Sequence, residues 1–165
     1  MLSGIRNFFD TLIAPAAGAA DDGHALQLAT AALLVETMRM DDRYDDAERA
    51  AVARALREHF GLDDAAVGAL VDLAEREVRE ATDYYQFTSL INQHFDGEQK
   101  ARIVEYMWRV ALADGHLDAH EQHLLSKLAD LLHVPHSRYI AAKLRAREAI
   151  AEAARDPARA PSREG

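Results

Sequence analysis

The sequence predicts an all-α fold, and three observations carry that prediction. Apolar residues recur at three- and four-residue spacing through most of the chain, and no segment sustains the alternation of a half-buried strand. Ala, Leu, Glu, Asp and Arg abound, while only 8 glycines and 4 prolines interrupt 165 residues. Helix signals punctuate the pattern: an Asp followed three residues later by Glu or Gln at starts, Gly or Pro near ends. A chain of this length forms one domain around one core. The expected architecture is a compact bundle of about seven or eight helices.

Each element has its own justification. Leu2, Ile5, Phe9, Leu12 and Ile13 lie at helical spacing, so residues 1–14 read as an amphipathic helix that Ala14-Pro15 ends. Residues 15–21 read as an Ala/Gly linker, 22–154 as the helical domain and 155–165, polar with two prolines, as a disordered tail. From His24 to Met40 the chain is apolar nearly all round, as a central buried helix would be. Val52, Leu56 and Phe60 mark one face of a helix from Asp45, and Gly61 stops it. Asp63 caps a helix bearing Val67, Leu70, Val71, Ala74 and Val78. A shorter helix from Asp83 to His94 carries Tyr84, Phe87, Leu90 and Ile91; Asp96 and Gln99 form a capping box for a second central helix. Asp118 to His133 presents five leucines, and Pro135 takes the first position of a last helix reaching Ala154.

The formal net charge is −9, with 28 acidic against 19 basic residues. Such a surface repels phosphate backbones, so nucleic acid is not the expected partner; cations and other proteins are. No stretch reaches the roughly 20 apolar residues of a membrane span. Arg6 is the only basic residue of 1–13, which weakens that segment as a contact for anionic lipid, although its apolar face suits a membrane surface or a partner. No signal peptide pattern opens the chain, and a cytoplasmic location is expected. With 0 cysteines there are no disulfides, thiolate ligands or Cys nucleophiles.

Two segments repeat at an offset of 73. Asp41 falls on Asp114, Asp45 on Asp118 and Glu48 on Glu121, so both copies read D-x-x-x-D-x-x-E between an apolar and an amphipathic helix. Helix capping accounts for part of this: Asp45 or Asp118 as N-cap, Glu48 or Glu121 completing a capping box. It leaves Asp41 and Asp114 at helix C-termini, the wrong sign for the dipole. From Asp41 to Glu48, five acids face Arg43 alone. That excess of charge motivates a hard divalent cation, Ca²⁺ or Mg²⁺, bound by carboxylate, carbonyl and water oxygens. The turn is not an EF-hand, because it lacks the D-x-D-x-D-G spacing and has Leu125 where the twelfth-position acid would stand if Asp114 were the first.

A helix ending in Ala113-Asp114-Gly115, then Asp118-x-x-Glu121 opening the next, with a similar unit earlier, resembles the TerB-like family associated with tellurite resistance. The Phe8-Phe9-Asp10 segment is similar to the small stand-alone branch, and the resemblance covers roughly residues 22 to 150. It implies a pseudo-symmetric helical bundle with divalent-cation binding at acidic junctions, carried onto Asp114, Asp118 and Glu121 and by the repeat onto Asp41, Asp45 and Glu48. Asp42 stands where Gly115 stands in the second copy, so the two sites are not expected to be equal. Without thiols, or a Gly-rich nucleotide fingerprint, the chain is not expected to reduce tellurium oxyanions; a link to stress or resistance would be indirect.

Rival chemistries are weaker. His120-Glu121-Gln122-His123 is one residue short of the metalloprotease H-E-x-x-H, so zinc ranks below calcium or magnesium and a metal-dependent hydrolase lower still. No catalytic residues are expected, and no apolar pocket is evident to tune a carboxylate for acid–base work. The rival to a cation-binding module is a metal-free adaptor whose protein partner docks on the N-terminal helix or an apolar groove. The repeat also aligns Glu36 with Arg109, which predicts a buried ion pair between the two central helices.

Overall fold

The computed structural model describes residues 8–17, 23–39, 45–75, 83–113 and 119–155. Every regular element among them is a helix, as the periodicity requires. The first is a π-turn, Phe9–Ile13, running directly into α1, Ala14–Ala17. The Ala14 N–H donates to the Phe9 carbonyl, five residues back. In a regular α-helix the Pro15 ring would collide with the carbonyl of Thr11, four residues earlier; a wider turn makes room for it. The helix expected to end at Ala14-Pro15 therefore continues to Ala17, and the start of the expected linker is helical.

Eight labelled helices complete the described chain: α1, then α2 (Gly23–Arg39), α3 (Asp46–Phe60), α4 (Asp64–Glu75), α5 (Asp83–His94), α6 (Gly97–Ala113), α7 (Ala119–Leu131) and α8 (His136–Arg155). Their ends follow local chemistry. The Asp63 carboxylate accepts the Ala66 N–H at 2.9 Å to open α4. Asp96 and Gln99 exchange two hydrogen bonds of 2.8 Å, a complete capping box for α6. Gly61 closes α3 at φ 62°, a left-handed conformation that glycine adopts without Cβ strain. His133 does the same for α7 at φ 57°, with the Val134 N–H returning to the Ala129 carbonyl at 2.9 Å. The Tyr139 N–H bonds the Pro135 carbonyl, so Pro135 is the N-cap of α8, one residue before its first helical residue His136, rather than that first residue as anticipated.

Helix α2 is the centre of the molecule. Ala25, Leu26, Leu28, Ala29 and every residue from Ala31 to Val35 are buried, and α3, α4, α5 and α6 all pack on it. Thr30 and Thr37 tolerate this because their hydroxyls donate to the Leu26 and Leu33 carbonyls at 2.7 Å. Helix α6 buries Ile103, Val104, Met107 and Trp108 and carries α8 on its far flank. The π-turn docks on the same core: Phe8, Phe9 and Ile13 are buried and Leu12 is half-buried against them. The Phe9 ring meets Phe87, His94 and Phe95 at centroid distances of 6.1, 4.7 and 6.4 Å. Among the described residues no helix is long and apolar enough to cross a membrane.

The expected Glu36–Arg109 pair is not formed. Arg109 Nη2 instead donates to Glu105 Oε2 at 2.7 Å, and the other carboxylate oxygen of Glu105 accepts from Arg145 Nε at 3.0 Å. The local i,i+4 geometry within α6 brings Glu105 to Arg109 before any cross-helix partner can reach it.

Candidate cation site at the helix junctions

Six carboxylates were singled out by the repeat, and the structure places two of their side chains. Asp45 and Glu48 stand exposed at the start of α3. Asp41, Asp114 and Asp118 lie outside the described residues; Glu121 falls in the first turn of α7, its side chain likewise outside them. Asp45 is the N-cap, with φ −86° and ψ 174°, and its carboxylate accepts the Glu48 N–H at 2.8 Å.

The capping box expected here is only half made. At α6 the third-position side chain reaches back to its cap, whereas at α3 no bond from the Asp45 N–H to the Glu48 carboxylate is formed among the described residues. Glu48 thus keeps an exposed carboxylate one turn from Asp45 that is not used in the cap.

Sequence reasoning missed Arg49. Its side chain, 10% exposed, folds back from α3: Nε donates to the Met38 carbonyl at 3.3 Å and Nη1 meets Asp46 at 3.0 Å. It satisfies an orphan carbonyl at the end of α2 and sets a positive charge against the negative end of that helix dipole. The signal was one residue beyond the acidic run, just past the window in which Arg43 was the only cation. Under the offset of 73, Arg49 falls on Gln122, which is neutral and exposed. The first junction carries its own compensating cation at this position, and the second does not.

Among the described residues, no three His, Asp or Glu side chains are grouped to hold a metal ion. Of the two histidines of the near-metalloprotease run, His123 is exposed on α7 and the side chain of His120 lies outside the described residues. The candidate donors in view are the carboxylates of Asp45 and Glu48, hard oxygen donors of the class that calcium and magnesium take. The large apolar side chains of residues 8–13 are engaged by the core, while Leu2 and Ile5, which complete the apolar face expected to meet a partner or a lipid, lie outside the described residues.

The family model described as tellurite resistance protein TerB matches residues 27–144, from α2 into α8 and across both junctions. No curated protein and no solved structure matched the chain.

Proposed function

The chain belongs to the tellurite resistance protein TerB family, and from that premise we propose that it is a non-catalytic, acidic interaction module that takes a hard divalent cation at its helix junctions. The observation that carries the reading is the unclosed capping box: Glu48 is not consumed by helix capping and leaves an exposed carboxylate beside Asp45. The contrast between Arg49 and Gln122 ranks the two junctions. A guanidinium at the first competes with a cation, so Asp114, Asp118 and Glu121 are the preferred ligands and Asp41, Asp45 and Glu48 the weaker set. Oxygen ligands alone favour Ca²⁺ or Mg²⁺ over zinc. A cation at either junction would neutralise carboxylates at the end of one helix and the start of the next, changing the charge a protein partner meets. Any part in tellurite resistance or stress response would then run through that partner in the cytoplasm, since this chain offers no thiol to reduce the oxyanion.

The test is thermal unfolding of chelator-treated protein with Ca²⁺, Mg²⁺, Mn²⁺ and Zn²⁺ added in turn. A cation at about 100 times its dissociation constant adds about 2.7 kcal/mol, several degrees in a domain of this size. The shift should vanish in Asp114→Asn/Glu121→Gln and survive in Asp41→Asn/Glu48→Gln. No saturable shift at millimolar cation would sink the proposal.

A further inference from the structure

The described helices differ sharply in net charge, with α4 the most acidic and α8 the most basic. Helix α4 packs on α2, α8 packs on α6, and α2 packs on α6, so α4 and α8 flank the central pair. Helix α8 carries Arg138, Lys143, Arg145, Arg147 and Arg155 against Glu148 and Glu152, in a chain whose net charge is −9. Helix α4 carries Asp64, Asp72 and Glu75 and no basic residue.

Both helices also leave apolar or open surface exposed. Ile140 is 39% and Leu144 52% exposed, and among the described residues only Tyr85 joins them as an exposed large hydrophobic side chain. The helix that bears Ile140 and Leu144 also walls a groove of about 460 Å³ between α6 and α8, lined by Arg102, Arg138, Arg145 and Ser137, and also by Glu98 and Glu105. Leu144 follows Ser137 by seven residues and so continues the groove's stripe along α8. Arg138 forms no ion pair among the described residues, and Arg145 shares Glu105 with Arg109. On α4 the exposed face reads Asp64, Gly68, Asp72 and Glu75, with Val67 and Val71 half-buried beside it. A Cβ at Gly68 would meet nothing within 4 Å, so the middle of this acidic face is low and open. Asp64 has Arg57 at 3.3 Å, while Asp72 and Glu75 make no ion pair among the described residues.

We propose that the α6–α8 groove receives the α4 face of a second copy of this chain. Leu144 and Ile140 pack over Gly68, and the groove arginines face Asp72 and Glu75. Charge complementarity selects the occupant: α4 is the most acidic of the described helices and α8 the most basic. Because the two faces differ, the contact is heterologous, and each added copy presents a fresh groove or a fresh α4. A single helix seated on a groove lies at the small end of interfaces, below about 1,200 Å², where association is weak and transient.

Sedimentation velocity tests this, with chelator present so that cation binding at the junctions plays no part. Wild-type protein should show a sedimentation coefficient that rises with concentration up to about 500 µM, the range in which weak interfaces populate. Arg138→Glu/Leu144→Asp on one side, and Asp72→Arg/Glu75→Arg on the other, should each weaken association by about tenfold or more, with unchanged circular dichroism. Mixed together, the two variants should form a 1:1 complex that does not grow, because one supplies an intact α4 and the other an intact groove. A wild-type monomer throughout the range, association indifferent to either variant, or a mixture that stays monomeric would each overturn the proposal.

Discussion

Replacing Phe9 by alanine tests whether the N-terminal turn is part of the core or an appendage resting on it. The Phe9 side chain is 0% exposed and touches three rings, two on α5 and one just beyond it. Truncating a buried phenylalanine costs about 3–5 kcal/mol, from lost transfer energy plus the void left behind. The void here is bounded by Phe87, Phe95 and α2, none of which can fill it without leaving its own place, so a value near 4 kcal/mol is expected. That is a large share of the roughly 5–15 kcal/mol by which domains are stable. At about 2–4 °C per kcal/mol, the melting temperature should fall by some 8–16 °C. Urea unfolding followed by circular dichroism gives the free energy directly, and Leu12→Ala, at a half-buried position, should cost less than half as much. A loss below about 1 kcal/mol for Phe9→Ala would refute the docked arrangement.

Three further outcomes are expected. Arg109→Met should cost only about 1 kcal/mol in urea unfolding, because the side chain is 35% exposed and Glu105 retains Arg145; a loss above 3 kcal/mol would mean that a buried carboxylate depends on Arg109 after all. Gly68→Ala should stabilise the dilute monomer by about 0.5–1 kcal/mol, since the methyl group meets nothing and alanine is the better helix former; destabilisation would show that the α4 backbone needs glycine there. Burial, reinforced by the nearby charge of Asp130, raises the pKa of Tyr139. The unfolded chain therefore releases this proton first, and stability should fall as pH climbs from about 10 toward the folded value, a loss that Tyr139→Phe removes.

Local chemistry was the legible part of this molecule. Asp63, Asp96 with Gln99, and Gly61 act where the sequence places them, because a cap is decided within four residues. The apolar run of α2 likewise announced a buried centre, and the family resemblance holds over residues 27–144. What escaped was settled by competition or by distance. Glu36 and Arg109 align in the repeat, yet Glu105 is four residues from Arg109 and takes it first. Arg49 reaches back eleven residues to Met38, a contact no turn motif encodes. Pro15 should end a helix, but a single wide turn upstream absorbs its ring. Of the candidate ligands, Asp45 and Glu48 were placed at a helix start correctly; that Glu48 would leave its box open depends on a rotamer, which spacing cannot reveal.

The burial of Phe8, Phe9 and Ile13 bears on where this protein can be cut. The segment shared with the family begins at residue 27, inside α2. A fragment trimmed to that boundary would discard the three buried side chains of the N-terminal turn, and with them Ala25 and Leu26. It would open the seam between α2 and α5 to water and display contiguous apolar surface of the kind that drives aggregation. The recurring segment and the unit that holds itself together are thus different stretches of chain, and a soluble fragment needs the ten residues from Phe8 to Ala17 as much as it needs the junctions.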